Sequence, residues 1–309
     1  MRILVTGGAG YIGSVLVPML LQAGHQVRVL DKLLYGGNGI LPNFLNNDFE
    51  FIKGDILDEA VMSRCLDGVD CIIHLAAIVG YPACKQNPRL AQEVNVSGAE
   101  MLENLRKKDQ LILYASTGSN YGKVAGKICD ESTPLAPLTI YGRSKTAAET
   151  HFMNAGNSIS YRFATAFGVS NRLRLDLLIN DFVYQAVKVR NLIIYEKTFK
   201  RSFIHVKDLA ASFLFALDNI EKMRDQVYNV GSETMNYSKA DIGYKIREKV
   251  DFYLHFADVG TDEDQRNYEC SYEKIRNVGF ETTIDIDHGI NELIRAFEAI
   301  SVKNSYSNV

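Results

Sequence analysis

Two ionisable side chains four residues apart, Tyr141 and Lys145 in Tyr141-Gly142-Arg143-Ser144-Lys145, could act as a pair. On a helix, positions i and i+4 share a face, one turn apart and roughly 6 Å from each other. An ammonium at that distance favours phenolate, and a phenolate formed near neutral pH can take a proton from an alcohol. The spacing by itself carries little weight, because the chain holds 16 tyrosines and a half-buried Tyr beside a solvated Lys is the commoner arrangement. Its weight comes from the order of the neighbouring segments.

The chain begins with a short aliphatic run, Arg2 to Thr6, as expected of a buried parallel strand. Gly7-Gly8-Ala9-Gly10-Tyr11-Ile12-Gly13 follows, then an apolar helix from Ser14 to Ala23 and a second strand, Gln26 to Leu30, ending on Asp31. Gly7 suits the tight turn, Gly10 lets backbone approach a pyrophosphate, and Gly13 lets helix and strand pack closely. The helix N-terminus then offers unpaired N–H groups and partial positive charge to phosphates. Asp31 is placed to accept hydrogen bonds from adenosine ribose hydroxyls, and its carboxylate would repel a 2′-phosphate. NAD is therefore expected over NADP, with the cation Lys32 next door tempering the preference.

The alternation continues through a strand at Phe49 to Lys53, a helix at 59–67 capped by Asp58, a strand at Asp70 to Leu75, a helix at Arg89–Lys107 carrying Asn95, and a strand at Leu111–Ala115. Asp55 either reaches the adenine amino group or caps a turn. Ala76-Ala77 leave room for a cofactor against the backbone. His74, inside an apolar run, is expected to be packed, and Cys84 to behave as a small buried hydrophobe. Repeated strand–helix–strand demands right-handed crossovers and a mostly parallel sheet covered on both faces, with ligands at the carboxyl ends of the strands. That puts the glycine turn, Asp31, Ala76-Ala77, Ser116-Thr117 and Tyr141 on one rim.

At 309 residues, 47% hydrophobic and 23% charged, the chain reads as an ordinary globular α/β protein. A net charge of −3 gives no reason to expect nucleic acid or an acidic membrane as partner. The five cysteines have neither Cys-x-x-Cys nor metal-ligand spacing, so reduced thiols in the cytoplasm are expected, with no metal. The N-terminal residues lack the charged and long apolar regions of a signal peptide, and no apolar run approaches the ~20 residues of a membrane span.

The combination of Thr6-Gly7-Gly8-Ala9-Gly10-Tyr11-Ile12-Gly13, His74-Leu75-Ala76-Ala77, Ser116-Thr117 and Tyr141-x-x-x-Lys145 resembles the extended short-chain dehydrogenase/reductases, and within them the nucleotide-sugar epimerases and dehydratases. The likeness runs nearly full length and includes Tyr161-Arg162-Phe163, the segment 172–182, Arg201 to Asp208 and Asp264 to Tyr268. Segments 172–182 and 264–268 look closest to a subgroup of GDP-heptose 4-dehydrogenase-like proteins. The resemblance implies a Rossmann-type doubly wound sheet that binds NAD and a smaller substrate domain. It makes Tyr141 the base at a sugar hydroxyl, usually at C4, Lys145 its partner and the holder of the nicotinamide ribose, and Thr117 a hydrogen-bond partner of the same oxygen, with Ser116 beside it. Tyr11, Ile12, Lys32, Ile56, Leu75, Asn95 and Phe163 join the glycines, Asp31, Asp55, Ala76 and Ala77 as cofactor contacts. Asn180, Arg201 and Arg266 match positions that grip a nucleotide diphosphate, with Arg172 and Arg174 as further candidates. Gly118 and Ser119 stand where 4,6-dehydratases carry an Asp-Glu pair, which argues against dehydration.

These implications give an expected division into an NAD domain at 1–165, rejoined by 204–217, a substrate domain at 166–203 and 218–300, and a polar tail at 303–309. Helices 89–107 and 141–155 carry apolar stripes, and in the family that the chain resembles such helices pair across a two-fold axis, so the resemblance implies a homodimer. The leading expectation is an NDP-sugar 4-epimerase. A 4-dehydrogenase releasing a 4-keto sugar is the alternative, and a non-catalytic NAD-sensing protein a remote third, since both Tyr141 and Lys145 are present.

Overall fold

The computed structural model describes residues 1–258, 267–301 and 308. Seven parallel strands form its centre, in the spatial order Gln226–Val230, Ser158–Phe163, Leu111–Thr117, Cys71–His74, Arg2–Thr6, Gln26–Asp31 and Phe49–Lys53. The inner strands are covered on both faces, so their residues alternate between two apolar cores rather than between core and water. Ile3 and Val5 enter one core with the helices Gly13–Gln22 and Val206–Asp218, whereas Leu4 enters the other with Glu59–Leu66 and Ile140–Ala155. The strand order reverses between Arg2–Thr6 and Cys71–His74, where Thr6 pairs with His74, and a crevice opens beyond their carboxyl ends.

A third apolar cluster, centred on Phe167, Ile246, Ile290 and Phe297, holds the helices Leu178–Tyr184, Lys239–Arg247 and Ile286–Ala299 together. Two small sheets border it. Lys200–His205 pairs in parallel with Thr165–Phe167 and antiparallel with Asn236–Ser238, and Asn191–Tyr195 pairs in parallel with Tyr253–Ala257.

The structure differs from expectation in two places. Residues 226–230, assigned from sequence to the substrate domain, add the edge strand of the central sheet, because their pairing with Ser158–Phe163 extends it by one more parallel register. The single helix expected at 89–107 is three pieces: Pro88–Gln92, a wider π turn at Glu93–Ser97, and Gly98–Leu105. A π turn inserts one residue into a helix and re-aims its neighbours, and such turns gather at functional sites. Asn95 sits in it. Among the described residues, no helix is long and apolar enough to cross a membrane.

Candidate functional site

The cofactor end of the crevice is built from backbone. Gly7 has φ +73°, and a Cβ there would lie 2.7 Å from the Ala76 amide nitrogen. A Cβ on Gly13 would lie 2.5 Å from Gly8 Cα. Strand, turn and helix therefore meet through bare main chain, and any side chain would force them apart. Asp31 has one carboxylate oxygen 2.9 Å from the Ala9 amide and the other 2.7 Å from the Leu33 amide. Burial nonetheless raises its pKa above the usual carboxylate value. Lys32 donates to Asp55 at 2.6 Å, and the Asp55 carboxylate also accepts from the Leu57 amide at 3.1 Å, the turn role considered for it. Partial burial pushes the Asp55 pKa up, but Lys32 and that amide outweigh it and leave the pKa low. Lys32 is thus already paired with a carboxylate at the position where it could have answered a 2′-phosphate.

The opposite end is built from side chains. The helix Ile140–Ala155 starts where Thr139 Oγ1 accepts from the Gly142 amide at 3.0 Å, which places Tyr141 and Lys145 in its first two turns. Lys145 is 3% exposed, and its ammonium lies 4.2 Å from the centroid of the Tyr114 ring. Burial lowers its pKa to about 7, with Glu149, one turn further along, opposing the shift. Ser116 and Thr117 end the strand Leu111–Thr117. Ser116 Oγ accepts from Asn120 Nδ2 at 3.0 Å, and Thr117 Oγ1 donates to Ser119 Oγ at 3.1 Å.

Ser116, Thr117, Tyr141 and Lys145 line one cleft, of about 310 Å³, together with Gly7, Gly10, Tyr11, Ile12, Gly13, Asp31, Lys32, Asp55, Ile56, Leu75, Ala76, Ala77, Phe163 and Arg174. Segments more than a hundred residues apart in the chain converge there.

Four candidates are placed otherwise. The Asn95 side chain accepts from the Ile78 amide at 2.8 Å and donates to the Ile78 carbonyl and to Ser144 Oγ, both at 3.0 Å. It clasps the loop after Cys71–His74 and does not line the cleft. Asn180, fully buried, accepts from the Gly168 amide at 3.0 Å and donates to the Arg174 carbonyl at 2.9 Å, so it braces the loop 168–174 from behind. Arg201 is buried in its strand opposite Tyr237 and lies outside the cleft lining. Arg266 lies outside the described residues. Arg174, which does line the cleft, is held by Asp176 at 2.5 and 3.2 Å. His74 is a packed strand residue as expected: its ring is 2.8 Å from Thr6 Oγ1, and burial lowers its pKa to about 3, so it stays neutral. Cys84 is fully buried and donates to the Ile78 carbonyl at 3.3 Å.

Sequence reasoning missed a buried network beneath the helix. Glu149 accepts from Arg162 at 2.7 and 3.1 Å, and Arg162 also donates to Tyr121 Oη at 3.0 Å. The readable signal was the i, i+4 spacing of Glu149 from Lys145, which puts a carboxylate on the same face as the ammonium.

The NAD dependent epimerase/dehydratase family model matches residues 3–231. The chain belongs to this family. It is an NAD-dependent enzyme, and the glycine turn, Asp31 and the paired Lys32 fit the cofactor. Over 94% of this chain and 97% of its own length, a putative UDP-glucose 4-epimerase of Methanocaldococcus jannaschii is 28% identical to it. A CDP-paratose 2-epimerase of Salmonella typhi is 27% identical over 90% of this chain and 93% of that protein. In fold, the chain is similar to the UDP-glucose 4-epimerase of Thermus thermophilus solved with NAD, with a TM-score of 0.86 and 24% identity over 97% of this chain and all of that one.

Proposed function

We propose that this family member oxidises C4 of a nucleotide-diphosphate sugar and returns the hydride to the opposite face, as an NDP-sugar 4-epimerase. One observation carries the reading. Among the described residues, the carboxylates lining the cleft are Asp31 and Asp55, both at the adenosine end, while the sugar end offers Tyr141, Lys145, Ser116 and Thr117. Water elimination needs an acid and a base besides the tyrosine. A Cβ on Gly118 would lie 2.9 Å from Tyr268 Oη, so an acidic side chain where dehydratases carry one would have to displace the Tyr268 hydroxyl. Among the described residues, the sugar end offers proton transfer at one oxygen.

Bound NAD supplies the acceptor for the C4 hydride and its donor on the return. Tyr141 takes the proton of the C4 hydroxyl on oxidation and gives it back on reduction. Lys145, stranded in a dry site with a pKa of about 7, gains a counter-charge as Tyr141 loses its proton, so each favours the charged form of the other. Thr117 holds the reacting oxygen in line.

To test the reading, the purified protein is incubated with UDP-, GDP-, dTDP- and CDP-hexoses, and C4 configuration is followed by NMR alongside NADH absorbance. A C4-inverted product with no net NADH is expected. A 4-keto product with accumulating NADH, or turnover only with an added oxidant, would instead establish the 4-dehydrogenase. A homodimer through the helices Gly98–Leu105 and Ile140–Ala155, which pack side by side, goes with this reading. Light scattering should give twice the chain mass of 34.6 kDa, and the chain mass itself would overturn it.

A further inference from the structure

Arg172 lines the cofactor cleft and is 4% exposed, yet its Nε and Nη2 atoms have no hydrogen-bond partner. Its neighbour Arg174 is neutralised by Asp176 at 2.5 Å. Arg172 lies instead over an aromatic ring, its guanidinium carbon 4.3 Å from the centroid of Tyr35. Burial, and then Arg174, pull its pKa below the usual arginine value. A buried guanidinium left without acceptors is strongly unfavourable unless a ligand brings them.

The backbone around Arg172 identifies the ligand. Its amide lies 3.2 Å from Ser14 Oγ, in the first turn of the glycine-motif helix, and Asn171 Nδ2 donates to the Ser14 carbonyl at 3.3 Å. Ser170 Oγ donates to the Tyr11 carbonyl at 2.6 Å, and Tyr11 Oη donates to the Gly168 carbonyl at 2.8 Å. The loop 168–172 is thus bolted across the helix N-terminus that receives the dinucleotide diphosphate. The charged groups around Arg172 are Arg174, Asp176 and Asp31, with the Tyr35 ring beneath it; Asp31 and Tyr35 mark the adenosine end, and none of Ser116, Thr117, Tyr141 or Lys145 is among its partners.

We infer that Arg172 is a cofactor latch: its Nε and Nη2 bind the diphosphate of the adenosine half of NAD, with Tyr35 stacked behind it. The sequence placed Arg172 among candidates for the sugar nucleotide's diphosphate; the geometry assigns it to the cofactor. Leu173, the next residue, is buried in the third apolar cluster, so the latch ties that cluster to NAD bound on the central sheet. The inference rests on NAD dependence and is independent of the sugar chemistry proposed above.

Wild type, Arg172→Met and Arg172→Lys, dialysed free of nucleotide, are titrated with NAD and with ADP-ribose. Arg172→Met should weaken both about 10- to 100-fold, as expected for lost charge-assisted bonds, with Arg172→Lys between them because it keeps the charge and loses the fork. Nucleotide-free Arg172→Met should melt no lower than wild type, since an unpartnered buried charge is gone. Unchanged affinity for both ligands, or weaker binding of UDP and GDP to NAD-saturated protein in place of weaker NAD binding, overturns the inference. So does a lower melting temperature with unchanged NAD affinity, which would make Arg172 purely structural.

Discussion

At the adenosine end of the cleft the chain meets its ligand with main chain, and at the sugar end with side chains. Gly7, Gly10 and Gly13 act by what they lack, and their positions follow from a turn that only a few residues can span. Tyr141, Lys145 and Thr117 act by what they carry, and Lys145 and Thr117 depend on other side chains, some local (Glu149 and Ser119) and some distant (Tyr114 and, through Glu149, Arg162). Backbone sites tolerate no addition, whereas side-chain sites tolerate no subtraction. The two ends should therefore fail in different ways when mutated.

The largest effect is expected at Tyr141. Tyr141→Phe keeps the ring and removes the acid–base group, so kcat should fall about 10²- to 10⁴-fold, the usual contribution of a positioned proton-transfer group. NAD binding should stay within a few-fold of wild type, because the glycine turn is untouched. Near-wild-type turnover in a single-turnover assay would remove Tyr141 from its role as base.

Lys145 shows what the sugar end costs the fold. Its folded pKa of about 7 lies below its ordinary value of 10.5. Between those pH values the unfolded chain holds the proton and the folded chain does not, so stability from this group rises with pH across that window. The contribution is at most ~1.4 kcal/mol per pH unit. Lys145→Met should lose activity, gain stability at pH 7 in the nucleotide-free protein, and lose this part of the pH slope. Urea melts of both proteins at pH 7 and pH 9 measure it. A variant less stable than wild type at pH 7 would show that the buried ammonium is not a burden.

Most of the fold was legible because it is written in short-range patterns. Aliphatic runs ended by glycine, and an acid at the tip of the second strand, are read within a few residues. The sugar end was legible only in part. Tyr141-x-x-x-Lys145 is local, but the Glu149–Arg162 pair joins a helix to a strand, and the π turn at Glu93–Ser97 carries no composition signal of its own. Asn95 and Asn180 were read as ligand contacts, whereas their amides are spent on the backbone of Ile78 and of Gly168 and Arg174. Residue type and position do not reveal which partner a buried amide finds first. The edge strand Gln226–Val230 was missed although the helices Val206–Asp218 and Ile220–Met223 lead into it, and its register with Ser158–Phe163 identifies it.

Gly118 makes the sugar end behave, at one position, like the cofactor end. Because its added Cβ would meet Tyr268 Oη at 2.9 Å, Gly118→Asp should destabilise the fold by about 1–3 kcal/mol through overpacking. It should not bring dehydration. Adding Tyr268→Ala should recover part of the lost stability, and a double-mutant cycle of thermal melts gives the coupling. Independent, additive losses would place the strain elsewhere.

The smallest effect is expected at Lys32, where the comparison can be sharpened most. Its ion pair with Asp55 is at the surface, with the lysine side chain 62% exposed, so the pair contributes no more than ~1 kcal/mol. If Lys32 were a latent 2′-phosphate site, Lys32→Ala would raise the preference for NAD over NADP. If Asp31 alone sets that preference, Lys32→Ala changes it by less than about threefold, and Asp31→Ala is the change that admits NADP, because it removes the carboxylate that repels the phosphate. Paired NAD and NADP titrations of the two variants decide between a backbone-braced acid acting alone and one tuned by a neighbouring cation. The Ala9 and Leu33 amides, at 2.9 and 2.7 Å, already fix that acid in place without the cation.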